Sequence, residues 1–350
     1  MEKRNAIELF DIVSPLLEWY QKNARSLPWR ENHDPYRVWI SEIMLQQTRV
    51  AAVIPYFLRF MDQLPTIASL AQAPEAQLMK LWEGLGYYSR ARNLQKAARI
   101  VCEKYGGVFP DQYEDILSLP GIGPYTAGAV SSISFGQPVP AVDGNVLRVI
   151  SRLLEWDADL SGTAEKKQVA GLLAAIYPEG RCGDFTQALM ELGAVVCIPA
   201  ASPKCNACPL QHLCGAFAGG TQAAFPVIPA KKPRKKEEKT VFLLRCGDKI
   251  ALRRRPREGL LGGLWEFPNA QGHLDPAGAA AWAQSQGICC GEICRRASKK
   301  HIFTHMEWYM DCYLIVCENT GGAFRWVTEQ TLQDEISLPT AFRKFLGELL

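Results

Sequence analysis

Residues 119–148 read LPGIGPYTAGAVSSISFGQPVPAVDGNVLR, and the fold turns on how this stretch is parsed. Gly121 and Gly123 frame a tight turn with backbone N–H groups turned outward. Pro124 suits the first position of a following helix, where its missing N–H would go unbonded anyway. A turn of exposed amides at a helix N-terminus is an anion site that needs no charged side chain. An ordinary corner between two helices fits PGIG equally well. The partner segment shifts the weight. Val142-Asp143-Gly144-Asn145-Val146 places an acid beside a glycine directly ahead of the apolar helix pattern VLRVISRLL. Taken alone, Asp143 is an N-cap, the usual role of aspartate before a helix; taken with the hairpin, it is half of a two-part motif.

Working outward, a chain of 350 residues suggests two domains. A hydrophobic content of 48% supports packed cores and excludes a disordered chain. The net charge of +3 is too small to argue for nucleic acid, so any basic surface is local. The first residues carry MEKRNAIELF and then an amphipathic pattern, which reads as neither a signal peptide nor a membrane span. Twelve cysteines in a large chain without an export signal point to a reduced, cytoplasmic compartment with a cysteine site rather than a disulfide scaffold.

The N-terminal half reads as helical. Residues 6–21 show helical spacing, broken at Arg25-Ser26-Leu27-Pro28-Trp29-Arg30, and a second helix is expected from about Pro35 into Gln47. Six of the eight residues from Val38 to Leu45 are apolar, so Glu42 sits in desolvating company. Desolvation raises a carboxyl's pKa, as a general acid at neutral pH requires. A glutamate on the one wet face of an amphipathic helix is the bland alternative. Further on, Gly84-Leu-Gly-Tyr-Tyr-Ser-Arg-Ala-Arg92 puts Tyr87 and Tyr88 beside two arginines. They fit either core aromatics or a wedge that fills the gap left by a flipped base.

Cys197, Cys205, Cys208 and Cys214 lie within eighteen residues, with one C-x2-C pair. Zinc sites usually show two such pairs; four unequally spaced thiolates suit a [4Fe–4S] cluster better. After Cys214 a Gly-Gly step leads to KKPRKKEEK, with six basic and two acidic residues between Lys231 and Lys239, which reads as a linker over residues 219–238. Beyond it, TVFLLR and KIALRRR read as a hairpin across Cys246-Gly247-Asp248, residues 308–317 as a further strand, and residues 277–286 and 340–349 as helices. The last 110 or so residues therefore form an α+β domain.

Two of these segments carry a family resemblance. The hairpin with Asp143 resembles the helix–hairpin–helix DNA glycosylases related to endonuclease III. SEIMLQQTRV, around Glu42, resembles nearly letter for letter the segment that marks the MutY branch. The resemblance implies an all-α glycosylase domain (residues 1–218, hairpin at about 113–135) with an iron–sulfur loop, followed by a Nudix-like α+β domain over residues 239–350. It implies excision of adenine mispaired with 8-oxoguanine or guanine in double-stranded DNA, by a monomer. Glu42 becomes the catalytic acid and Asp143 the carboxylate that stabilises the oxocarbenium ion, with Asn145 and Tyr125 placing the groups. The hairpin amides of Gly121 and Gly123 take a DNA phosphate. Arg25, Leu27, Trp29, Arg30, Leu45, Gln47, Thr48, Tyr87 and Gln187 fall to the adenine pocket and to intercalation. The glycosylase cluster motif is C-x6-C-x2-C-x5-C; seven residues separate Cys197 from Cys205 here, which reads as a loop insertion.

In the last domain, Gly259-Leu-Leu-Gly-Gly-Leu-Trp-Glu-Phe-Pro268 resembles the opening of the Nudix fold, but AAAWAQSQG stands where an acid-rich, magnesium-holding helix belongs. Without hard oxygen ligands, Mg²⁺-dependent nucleotide hydrolysis is not expected. The domain resembles instead the MutY module that recognises 8-oxoguanine, whose Phe-Ser-His element becomes Phe303-Thr304-His305. Phe303 fits a strand core residue as well. Tyr125 occupies the place where strand-cutting relatives carry lysine, and a phenol cannot form a Schiff base; the expectation is a monofunctional enzyme. A thymine-DNA mismatch glycosylase of the same superfamily and a non-catalytic mismatch-binding protein are the rival readings.

Overall fold

The computed structural model describes residues 9–160, 162–199, 203–229 and 233–349. The chain divides into two compact units, one of residues 1–72 and 93–230, the other of residues 73–92 and 231–350.

The first unit is helical. Its central helix Cys182–Val195 packs against Val13–Asn23, Pro124–Phe135 and Gly144–Leu154, while Pro35–Leu45 packs against Pro124–Phe135 and Val50–Gln63. The core beneath them joins Leu16, Val146, Ile150, Phe185 and Leu189. Two glycines let backbones meet where side chains would keep them apart. A Cβ on Gly128 would fall 2.3 Å from the Pro140 carbonyl oxygen, and one on Gly193 would fall 2.6 Å from Asn145 Cβ. These contacts press residues 140–145 onto two helices, which fixes Asp143. The hairpin runs from Tyr113–Leu117 to Pro124–Phe135; Gly121 has φ +79°, and Gly123 is the extended N-cap ahead of Pro124.

Three helix expectations shift in register. In the span expected over residues 6–21, Leu9 and Phe10 are helical, Asp11 and Ile12 form a turn, and a helix then runs Val13–Asn23. This places Pro15 in a first turn, where proline is tolerated; residues 6–8 lie outside the described residues. The helix carrying Glu42 stops at Leu45, because Gln47 turns left-handed at φ +60°. In the expected helix 340–349, only Thr340–Arg343 is α-helical. The carbonyl of Lys344 accepts from Lys299 at 2.6 Å instead of continuing the ladder, and the chain resumes as a 3-10 turn, Leu346–Glu348.

The second unit is built on a seven-stranded sheet: β1 (Lys235–Cys246), β2 (Lys249–Arg254), β3 (Trp265–Glu266), β4 (Asn269–Gln271), β5 (Cys290–Ile302), β6 (Met306–Cys317) and β7 (Arg325–Thr328). The order is β3-β2-β1-β6-β5, with β4 on β1 and β7 on β2; β1 and β6 run parallel and the other pairs antiparallel. Alternation along β1 and β6 divides the core. Val241, Leu243, Trp308, Met310 and Leu314 face Phe342 and Phe345; Phe242, Leu244, Tyr313 and Ile315 face Ala279 and Ala283 on helix Pro276–Ser285.

The linker expected over residues 219–238 is corrected at both ends. Lys235 to Lys239 belong to β1, paired in register with Met306 to Met310. Their charge reflects the exposed half of a strand rather than a tether: Lys239 Nζ lies 4.7 Å from the Trp308 ring centroid, and Trp308 donates to Glu237. At the other end, the carbonyls of Gln222 and Phe225 accept from Arg152 at 3.0 and 3.2 Å, which ties that stretch to the helical unit. Lys231 and Lys232 lie outside the described residues.

Candidate active site

A cavity of about 580 Å³ opens in the helical unit. It collects Glu42, Tyr125, Asp143 and Asn145 with Arg25, Leu27, Trp29, Arg30, Leu45, Gln47, Thr48 and Gln187, twelve of the residues singled out in the sequence. Pro226, Val227 and Ile228, expected as linker, line it as well.

Glu42 sits mid-helix and is buried. Burial pushes its carboxyl up to about 7. The Tyr125 hydroxyl donates to it and, with the cation of Arg30, pulls the other way; the nearby Asp143 charge adds to the rise. The wet-face alternative is thereby removed.

Asp143 does cap its helix, accepting from the N–H groups of Asn145 at 2.9 Å and Val146 at 2.8 Å. The same carboxylate lines the cavity, so the bland and the chemical readings hold together. The Asn145 amide donates to Asp143 at 2.7 Å. The amide's orientation is fixed from behind, because its oxygen accepts from Arg148 at 2.8 Å. Burial raises the Asp143 pKa while these three donors and Arg148 oppose the rise. Two carboxyls thus share one cavity with different donor sets, an arrangement that pushes their protonation states apart.

The helix that Asp143 caps leads to the cysteines. Arg148 donates to the carbonyls of Gly193 and Cys197, both at 2.7 Å; Arg152, one turn later, approaches Cys197 Sγ at 3.3 Å. Cys197, Cys205, Cys208 and Cys214 line one small cavity together with Arg152. Among the described residues no three potential ligands converge as a single metal ion requires; the four thiols surround a volume instead of a point. Burial, with a smaller contribution from the neighbouring cysteines, pushes Cys208 up to about 12. Four thiolates gathered in one place need a cationic group between them, so the donor set fits an iron–sulfur cluster. Residues 200–202 of the longer loop between Cys197 and Cys205 lie outside the described residues.

Sequence reasoning missed Glu191, Arg148 and Arg152. Glu191 is fully buried, accepting from Arg25 at 2.5 and 3.0 Å and from Arg30 at 2.8 Å. A glutamate in an apolar helix run gives no hint of partners some 160 residues away, although the i, i+4 spacing of Arg148 and Arg152 was readable.

In the second unit, Tyr87 is 49% exposed and left-handed at φ +47°. Its hydroxyl is 2.6 Å from Thr304 Oγ1. Thr304 and His305 form the exposed turn between β5 and β6, closed by Phe303 N–H to the Met306 carbonyl at 2.8 Å. Phe303 packs edge-on against Trp308 at 4.8 Å and joins the core face, in line with the strand-core alternative. Tyr88 is buried. In the Nudix-like stretch, Glu266 is clamped by Arg253 at 2.8 Å and Arg255 at 2.5 Å.

Residues 40–177 match the family described as HhH-GPD superfamily base excision DNA repair protein, and residues 240–348 match the NUDIX domain. The chain is similar to the adenine DNA glycosylase of Homo sapiens, with 38% identity over 76% of this chain and 58% of the human one, so it spans less than two thirds of that protein. It is 36% identical to the adenine DNA glycosylase of Buchnera aphidicola subsp. Acyrthosiphon pisum over 95% of each chain. The solved structure of a thermostable thymine-DNA glycosylase aligns with a TM-score of 0.54 at 31% identity, covering 62% of this chain and 99% of that one.

Proposed function

The chain belongs to the adenine DNA glycosylase family, and from that premise we propose that it removes adenine mispaired with 8-oxoguanine or guanine in duplex DNA and leaves an abasic site. Buried Glu42 and half-buried Asp143, lining one cavity, carry this reading. The adenine leaves the base stack to be reached, most cheaply where it is mispaired. Glu42, protonated near neutral pH, delivers its proton to the departing base, so that a neutral purine leaves with the electron pair of the glycosidic bond. Asp143, whose charged form its three donors favour, stabilises the cationic sugar. This is the division of labour of two carboxyls in glycoside hydrolysis. Glu42, now ionised, takes a proton from the incoming water. Tyr125 positions Glu42 and offers no amine, so no Schiff base forms and the strand stays intact.

The hairpin amides at Gly121 and Gly123 receive a phosphate. Tyr87, left-handed and exposed, is the wedge, and Gln47 and Thr48 enter the duplex. Phe303, Thr304 and His305 recognise the 8-oxoguanine strand. Cys197, Cys205, Cys208 and Cys214 would hold a [4Fe–4S] cluster, which when bound supplies a structural cross-link. Lys204 flanks this loop, where a cation can face DNA. Arg253 and Arg255 engage Glu266, and AAAWAQSQG offers no carboxylate to hold Mg²⁺, which supports recognition rather than nucleotide hydrolysis. We place the enzyme in the cytoplasm, acting as a monomer on DNA.

Single-turnover cleavage of a labelled duplex tests the reading. Adenine opposite 8-oxoguanine and opposite guanine are the substrates; adenine opposite thymine, thymine opposite guanine and oxidised pyrimidines are the controls. Breaks at adenine that appear only after alkali are expected. Breaks at thymine would reassign the chain to the thymine branch, and tight binding without excision would leave a recognition protein.

A further inference from the structure

Glu191 is a buried acid for which the mechanism has no use. It lines the same cavity as Glu42, and both its oxygens are engaged by Arg25 and Arg30. Burial by itself would raise its pKa, but the two guanidinium groups overturn that and hold the carboxyl below its usual range. Glu191 is therefore a fixed negative charge. Arg30 is further steadied by the ring of Tyr20, 5.6 Å away.

We propose that Glu191 is a positioning residue: by engaging Arg25 and Arg30 together, it stops either guanidinium from pairing with Glu42. The charged groups lining the cavity are Arg25, Arg30 and Lys166 on one side of the balance, with Asp143, Glu191 and, when ionised, Glu42 on the other. Tyr125 is the hydroxyl that faces Glu42, and Tyr20 is the phenol near Glu191. Without Glu191, Asp143 faces three cations, and Arg30 already acts on the Glu42 carboxyl. A cation released beside Glu42 favours its ionised form. The acid would then lose its proton before the substrate arrives. Glu191 thus separates two demands on one site: cations near the bound base, and a neutral carboxyl in the same cavity. The role assigned to Glu42 here rests on the proposed glycosylase reaction.

The test combines two readouts on the full chain with its cluster. One is the pH profile of single-turnover adenine excision, from about pH 5.5 to about pH 9. The other is carbon-13 NMR titration of the Glu42 carboxyl, assigned by its loss in Glu42→Gln, which needs no activity. In Glu191→Gln both midpoints should fall by about one unit, a roughly tenfold loss of the protonated acid at high pH. Glu191→Asp keeps the charge and should keep the wild-type midpoint even if the rate drops. Arg30→Gln removes the cation nearest Glu42 and should raise the midpoint. These last two variants decide the matter if Glu191→Gln fails to fold. A Glu191→Gln protein with a lower rate and an unmoved midpoint reduces Glu191 to a tether between the N-terminal turn and helix Cys182–Val195. An Arg30→Gln midpoint that stays put overturns the proposal as well. Wild-type protein that titrates as expected but removes no adenine instead overturns the proposed reaction, with the electrostatic inference intact.

Discussion

The cavity around Glu42 and the turn at Thr304 answer opposite physical requirements. Glu42 and Tyr125 stand on helices, and Asp143 caps one, held together by close contact at Gly128 and Gly193, and Glu42 is buried there. Thr304 and His305 sit at the exposed end of two long strands, and Tyr87, which meets Thr304, is half in solvent. Chemistry on a glycosidic bond needs a carboxyl whose pKa has been moved, and only burial moves it far enough. Reading a base needs donors and acceptors that the base can reach. The first demand fixes residues in a core; the second leaves them at a surface, where one hydrogen bond contributes little.

The largest effect of this contrast should appear in Glu42→Gln. Loss of the proton donor should lower single-turnover excision by about a thousandfold or more, within the range of general acid catalysis. The same substitution should stabilise the fold at high pH. Glu42 has a folded pKa of about 7, above its ordinary 4.5. Its contribution to stability is present in full below the unfolded value and is lost as pH rises through the folded one. The loss reaches on the order of 3 kcal/mol once the acid is ionised in the folded state. Thermal melting should therefore show Glu42→Gln gaining on wild type above about pH 7 and matching it near about pH 4. Equal melting curves at every pH would mean that Glu42 is not desolvated.

Tyr125→Phe gives a smaller effect of defined sign. The Tyr125 hydroxyl donates to Glu42 and favours the ionised form, so its removal leaves burial less opposed. The descending limb of the pH profile should move upward, by up to about one unit for a hydrogen bond of ordinary strength. This is the direction opposite to that expected for Glu191→Gln. A profile displaced downward would mean that the phenol acts as more than a donor to Glu42.

What was legible in the sequence follows the same divide. Apolar periodicity located the helices around Glu42, and the glycine and proline pattern located the hairpin, because these signals are local. The strands of the second unit were readable where both faces are buried, as in Val241 to Leu244. They were lost from Lys235 to Lys239, where charge mimics a linker. Family resemblance nominated the cavity residues, and the fold brings them around one volume. Glu191 was out of reach, since its meaning depends on two arginines from the opposite end of the unit's sequence. The helix break at Lys344 was also hidden, because its cause is a carbonyl bonded across the sheet to Lys299.

The smallest effect should come from Thr304→Val, which keeps the shape of the side chain and removes its hydroxyl. In the free protein that hydroxyl meets Tyr87, and both groups are exposed, so stability should hardly change. On the proposed reading the hydroxyl contributes one hydrogen bond to 8-oxoguanine recognition, about 0.5–1.5 kcal/mol. Excision of adenine opposite 8-oxoguanine should therefore slow by roughly two- to tenfold relative to adenine opposite guanine. The pH profile should stay where it is, since Thr304 does not line the cavity that holds Glu42. An equal slowing of both substrates would assign Thr304 to holding Tyr87 in place, and the exposed turn would then serve the wedge rather than the damaged base.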